Sequence, residues 1–119
     1  MKIESLMISW LNDDNLPTGW EAFGSIPEEK PDMFVVVERT GGPVDNVSIE
    51  RPDLTIRYFH KDDADLAGDV ATDTDKKIRL EFIQSPNVRK VERNSLVRLD
   101  DLVIKWPTYM GYYSFVYLV

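Results

Sequence analysis

A continuous apolar segment that ends in a double glycine constrains the fold more than any other part of this chain. Residues 34 to 42 read FVVVERTGG. Because β-branched residues favour strands and an unbroken apolar run leaves no side for solvent, residues 33 to 38 are predicted to form a central strand covered on both faces of a sheet. The two glycines are predicted to adopt positive φ angles in the turn that follows, which Pro43, Asp45 and Asn46 continue.

The rest of the chain predicts an α+β fold. A helical spacing of apolar residues indicates an amphipathic helix over residues 2 to 13, and prolines keep residues 15 to 32 extended or turning, with any pairing at a sheet edge. Further strands are predicted at residues 46 to 50, at 54 to 59, in a hairpin over 88 to 99 around Asn94 and Ser95, and at 112 to 119. The prediction is a mostly antiparallel sheet of about four strands, with two helices packed on one face, in one domain over residues 1 to 119.

The second helix is predicted to follow an acidic segment. Asp62 is the predicted N-cap, with Asp65 three residues later, because carboxylates are favourable at the positive end of a helix. Its apolar residues run from Leu66 to Phe82, and the poor helix formers at residues 72 to 75 allow a break. The aspartates lack the spacing of a calcium loop, so they are interpreted as a charged, solvated helix face.

Composition limits the ligands that the chain is expected to bind. Twenty-one acidic and fourteen basic residues give a formal charge of −7, which opposes binding to nucleic acid because phosphate contacts need cationic side chains. The chain has no cysteine, which excludes a disulfide framework and a thiolate zinc site. No apolar segment reaches the roughly 18 residues of a membrane helix, so no membrane partner is expected.

No residue pattern specifies a catalytic, cofactor or metal site. The glycine turn is too short for a phosphate-binding loop. His60, the single histidine, could act as a general base oriented by Asp62 or Asp63, which leaves a small enzyme as one alternative. A solvated histidine at a strand end is the commoner arrangement. Neither an enzyme activity nor a cofactor is therefore expected.

Several features, in their order along the chain, resemble the tail terminator family of long-tailed bacteriophages, also called tail completion or minor tail proteins. They are a first helix ending in Trp10 and Leu11, the segment PEEKPDMFVVVERTGG at residues 27 to 42, an alanine-rich helix, and a terminal Tyr-x-Phe-x-Tyr strand. The resemblance covers nearly the whole chain, and the segment at residues 27 to 42 is its most specific part. Residues 72 to 75 depart from the family because they interrupt the alanine-rich helix.

The resemblance implies a structural virion protein without catalysis. Members of the family assemble as a ring of six copies on the end of the tail tube, stop its polymerisation and form the surface that joins the head. The implied partners are further copies of the chain, the major tail tube protein and the head-tail connector protein, with DNA only as passing cargo. The implied location is the virion tail, after assembly in the host cytoplasm. Another phage neck or head-tail adaptor protein is an alternative.

A ring needs a head-to-tail interface, and opposite charges on one protomer suit such an interface. The basic hairpin could contact the acidic helix of a neighbour, or it could be a solvated edge whose charges discourage aggregation. The strand end before the glycines could orient its loop or contact a neighbour. The candidate interface residues are Glu38, Arg39, Asp62, Asp65, Arg89 and Arg93.

Overall fold

The structure is a computed structural model that describes residues 2 to 42 and 49 to 118. These residues adopt an α+β fold, as predicted, with two helices and a six-stranded sheet. The helices are α1 (Ile3–Asn12) and α2 (Ala64–Leu80), and a short 3-10 helix (Phe82–Gln84) follows α2. The strands are β1 (Ala22–Phe23), β2 (Met33–Gly41), β3 (Ile49–Glu50), β4 (Asp53–His60), β5 (Val88–Arg98) and β6 (Thr108–Leu118).

The sheet is mixed and has more strands than the predicted four. β1 pairs in parallel with β2, and β2, β4 and β6 follow as antiparallel neighbours. β3 and β4 pair with successive parts of β6, and β5 pairs along its other side. β2 therefore lies next to an edge rather than at the centre, since only the two residues of β1 lie beyond it. β1 confirms the edge pairing predicted within residues 15 to 32.

The main core lies between the two helices and one face of the sheet. α1 buries Ile3, Met7 and Leu11, which confirms its predicted apolar stripe. A smaller cluster on the opposite face contains Phe34 and Val36 of β2. Because alternate residues of β2 enter the two clusters, the strand is covered on both faces, as the apolar run predicts.

The turn after β2 differs from the prediction at one glycine. Gly42 has a φ of +96°, as predicted, and a Cβ atom there would meet the backbone of residues 51 to 53. Gly41 does not adopt a positive φ, because it is still part of β2 and pairs with Asp53. The charged pair before the glycines therefore lies inside the strand. Part of the predicted turn and two predicted strand ends lie outside the described residues, at residues 43 to 48 and Val119.

The predicted hairpin over residues 88 to 99 is wrong, because this segment is the single strand β5. Its pairing with β6 shifts register between Arg93 and Ser95. The Asn94 side chain, at this shift, donates a hydrogen bond to Ser114 Oγ at 2.8 Å. An extra residue in one strand reverses the alternation of its side chains. The sequence pattern therefore resembled two short strands.

The second helix does not break at residues 72 to 75, where the sequence allowed a break, since α2 is continuous over 17 residues. Thr74 and Asp75, within the segment where a break was allowed, are both buried against the core. Gly68 lets α2 lie close to the sheet, because a Cβ atom there would be 2.9 Å from the ring of Tyr109. Tertiary packing thus overrides the weak helix propensity of this segment.

Candidate interaction surfaces

His60 ends β4, and its ring binds the backbone that leads into α2. Its Nδ1 accepts the N–H groups of Asp62 and Asp63 at 3.2 and 3.0 Å. A ring nitrogen in this role carries no proton to donate, so the 3.4 Å contact between Nδ1 and Asp62 Oδ1 is not the hydrogen bond that would orient a general base. His60 is also buried rather than solvated. The N-cap of α2 is Asp63 instead of the predicted Asp62, and its Oδ1 accepts the Leu66 N–H at 3.0 Å.

The acidic side chains do not converge on one point. Within residues 2 to 42 and 49 to 118, no three His, Asp or Glu side chains are arranged to hold a metal ion. Neither α1 nor α2 is long and apolar enough to cross a bilayer.

Asp75 is a buried carboxylate between α2 and the sheet. It is 1% exposed, so the interpretation of the acidic residues as a solvated helix face is wrong at this position. Asp75 Oδ1 accepts the Tyr113 hydroxyl at 2.7 Å. Its Oδ2 accepts the guanidinium groups of Arg79 and Arg93 at 2.9 and 3.0 Å. These four residues form the Asp75 cluster, which connects α2 with β5 and β6.

The tyrosines beside this carboxylate stay protonated. Burial raises the pKa of Tyr113, and the nearby Tyr58 and the hydrogen bond to Asp75 raise it further. Burial also raises the pKa of Tyr58, and the charge of Asp75 acts in the same direction. Tyr113 therefore remains a hydrogen-bond donor at neutral and moderately alkaline pH.

The Asp75 cluster changes the interpretation of the predicted basic contact surface. Arg93 is half exposed, but it binds Asp75 within its own chain. Arg89 is exposed on the same edge strand and forms no ion pair among the described residues. Asp62 and Asp65 are both exposed at the start of α2. The two arginines therefore share β5 and the two aspartates share the start of α2, and no ion pair joins the two sets within the described residues.

Glu38 and Arg39, the other predicted interface residues, are paired within the sheet. Glu38 forms an ion pair with Arg57, and Arg57 Nη1 lies 3.5 Å from Asp101 Oδ2. Arg39 Nη1 lies 3.3 Å from Glu50 Oε2, and its Nε and Nη2 donate to the carbonyl groups of residues 41 and 42. Arg39 therefore binds its own turn, whereas Glu38 is connected through Arg57 to the segment between β5 and β6.

That segment, residues 99 to 107 (the 99–107 loop), presents apolar side chains to solvent. Leu102 and Val103 are 90% and 89% exposed, and Leu99 is also exposed. Sequence reasoning missed this surface, because apolar residues beside a strand are expected to be buried and the loop has no periodic pattern. The adjacent aspartates were the available signal, since Asp is typical of tight turns.

The aspartates hold the 99–107 loop in one conformation. Asp101 Oδ1 accepts the N–H groups of residues 103 and 104, each at 2.8 Å. Arg98 binds both carboxylate oxygens of Asp100 at 3.1 Å, and the Thr108 N–H donates to Asp100 Oδ1 at 3.0 Å. The Arg98 guanidinium lowers the pKa of Asp100, and the two backbone N–H groups lower that of Asp101. An ordered loop loses less conformational entropy when it binds a partner.

The sheet face opposite to the helices extends this apolar surface. Met110, Tyr112 and Val116 of β6 are half buried there and alternate with the core residues of the strand. We call these three residues the open sheet face. A cavity of about 320 Å³ lies between this face and the loop, and its lining includes Met110, Leu99 and Leu102. The loop and the cavity, with Met110 at the near end of the open sheet face, form the candidate contact surface.

Comparisons with known proteins do not place the chain in a family. No protein-family model matches it, and no curated protein matches it.

Proposed function

We propose that this protein is a tail terminator of a long-tailed bacteriophage, which closes the end of a tail tube as a ring of six copies. The observation that supports the proposal most is the ordered 99–107 loop with its exposed Leu102 and Val103. Apolar side chains held in solvent are typical of a surface that a protein partner covers. The resemblance of residues 27 to 42 to the terminator family is what selects this function among those that such a surface could serve.

The charge of the chain fits the same function. DNA has to pass a terminator ring without adhering to it, and a net charge of −7 repels phosphate groups. The proposed protein partners are further copies of the chain, the major tail tube protein and the head-tail connector protein. The proposed location is the virion tail.

A ring of six copies closes only through a head-to-tail interface. We assign the polar part of this interface to exposed charges, with the basic residues around Arg89 and Arg93 on one copy and Asp62 or Asp65 on the next. The apolar contact surface at the 99–107 loop would face the tube or the connector. Arg93 binds Asp75 within its own chain, but its side chain is still 41% exposed and can contact a neighbour as well.

The test combines the purified protein with tubes assembled from the major tail tube protein. Negative-stain electron microscopy is expected to show rings at tube ends, and the mean tube length should fall as the ratio of this protein to tube protein rises. A variant with Leu102→Asp should lose both effects. The matched control, Leu80→Asp, changes another exposed leucine, on α2, and should keep them. Tubes of unchanged length with bare ends would contradict the proposal.

Another neck or head-tail adaptor protein is the alternative, because the exposed 99–107 loop would equally suit a contact with the head. Isolated heads and isolated tubes, each mixed with the protein, separate the two functions. An adaptor would bind heads and leave tube ends open, whereas a terminator would bind tube ends.

A further inference from the structure

The Asp75 cluster contains more positive than negative charge. Two guanidinium groups share one carboxylate, so one positive charge is left in excess. Asp75 is buried, whereas the side chains of Arg79 and Arg93 are 42% and 41% exposed. The excess charge is therefore accessible from solvent, on a chain whose net charge is −7.

The two guanidinium groups are held side by side. Arg79 Nε and Nη2 lie 3.1 and 2.9 Å from Asp75 Oδ2, and Arg93 Nη1 lies 3.0 Å from the same oxygen. Nitrogens that bind one oxygen at these distances are at most about 6 Å apart. Each guanidinium has five N–H groups, and those not used by Asp75 have no side-chain acceptor within the part of the chain that the structure describes. The remaining donors can therefore be bridged by a second oxyanion.

The surroundings fix this geometry before any ligand arrives. Arg79 comes from the last turn of α2 and Arg93 from β5, so two different elements converge on Asp75. Tyr113 holds the other carboxylate oxygen at 2.7 Å. Guanidinium groups bind carboxylates and phosphates through paired N–H donors, and fixing two of them in advance lowers the entropic cost of binding.

We propose that Arg79 and Arg93 form an oxyanion-binding site, and that its ligand in the assembled ring is a carboxylate of a second copy, at Asp62 or Asp65. The identity of this ligand rests on the proposed ring, whereas the affinity of the site for an oxyanion does not. The complementary charges lie on different patches of one chain, which is the arrangement of a head-to-tail contact.

The acidic start of α2 in the same chain cannot reach the site. Asp65 and Arg79 lie 14 residues apart on the continuous helix α2, which corresponds to about 21 Å at 1.5 Å per residue. Only another copy can therefore bring the acidic start of α2 to this arginine pair.

Inorganic phosphate is the first probe, titrated into the full chain at constant ionic strength. The side-chain Nε–H resonances of Arg79 and Arg93 should shift in a saturable way in nuclear magnetic resonance spectra. Arg79→Ala should weaken phosphate binding at least tenfold, while Arg89→Ala, at another exposed arginine, should leave it unchanged. Arg79→Lys should restore only part of the affinity, because it keeps the charge without the paired donors. Shifts that do not saturate, or that are equal in all variants, would overturn the site.

A charge exchange between two variants tests the ligand. Arg79→Glu and Asp65→Arg should each weaken ring formation of the full chain, as measured by analytical ultracentrifugation and electron microscopy on tube ends. An equal mixture of the two variants should recover it, because the exchanged charges can then pair across the interface. If both variants form rings like the parent, a second copy is not the ligand. If the parent caps no tubes but binds phosphate, the proposed function fails and the oxyanion site stands.

Discussion

Replacing Asp75 by alanine is the perturbation that tests the packing argument most directly. The substitution removes the acceptor of the Tyr113 hydroxyl and of both arginines in the Asp75 cluster. Because the Tyr113 side chain is buried, its hydroxyl cannot turn to solvent for a new partner. We therefore expect a large loss of stability from an aspartate that the sequence pattern places on a solvated face.

The expected loss follows from the burial of each partner. A buried hydroxyl left without an acceptor costs about 1 to 3 kcal/mol. The guanidinium groups of Arg79 and Arg93 are only half buried and can be solvated again, so each lost ion pair contributes about 0.5 kcal/mol. The free energy of unfolding should thus fall by about 3 kcal/mol, a considerable part of the roughly 5 to 15 kcal/mol that is typical of a domain.

Urea unfolding monitored by tryptophan fluorescence gives the measurement, since the chain contains three tryptophans. The control is Asp73→Ala, at an exposed aspartate on the same helix, which should change the free energy of unfolding by less than about 0.5 kcal/mol. In a Tyr113→Phe background, Asp75→Ala should cost less, because the hydroxyl is already absent. A loss below about 1 kcal/mol, or equal losses in the two backgrounds, would refute the reasoning.

Three further predictions follow from single contacts. Arg93→Glu should lower the free energy of unfolding by about 3 kcal/mol, because it places a second negative charge beside a buried carboxylate. The control Arg89→Glu should change this free energy by less than about 0.5 kcal/mol, and thermal denaturation of both variants gives the comparison. Gly42→Ala should lower the free energy of unfolding, measured by chemical denaturation, by more than about 2 kcal/mol, since the φ of +96° and the adjacent backbone leave no room for Cβ. The control Gly24→Ala should lower it less, because a Cβ atom there makes only an ordinary contact. The pKa of Asp101 in the folded loop is lower than its usual value of 3.8. The stabilisation of the 99–107 loop by Asp101 should therefore be complete above about pH 4 and be lost as the pH falls through the lower folded pKa. ¹⁵N relaxation of the loop amides should show this change, and Asp101→Asn should reduce the pH dependence of the relaxation.

The elements that were predicted well from the sequence are those whose own residues show a regular spacing of apolar side chains. The stripe of α1 and the alternation of Leu54, Ile56 and Tyr58 in β4 are local periodicities, and both are found in the core. The errors occur where pairing with a distant strand decides the result. The register shift between Arg93 and Ser95 depends on β6, so the sequence of β5 alone could not distinguish one irregular strand from a hairpin.

The surroundings of the predicted interface residues depend on contacts that the sequence does not show. All six residues proposed for the interface are charged, and the ion pairs that three of them form could not be derived from their neighbours in sequence. Glu38 and Arg39 turned out to be paired within the sheet, and Arg93 with Asp75. The exposure of Leu102 in the 99–107 loop was not predicted, because the exposure of a residue depends on which other residues pack against it.

The sequence by itself determined the fold class, the helices and the buried faces of the main strands, because local periodicity and composition specify which side of an element avoids water. The tertiary structure alone decided that Asp75 is buried and bonded, since its three partners come from positions 4, 18 and 38 residues away. It also decided the conformation of residues 99 to 107, because their aspartates bind Arg57 of β4, the N–H group of Thr108 in β6 and N–H groups within the loop. Contacts between distant residues depend on the packed arrangement of the whole chain, and no local pattern encodes them.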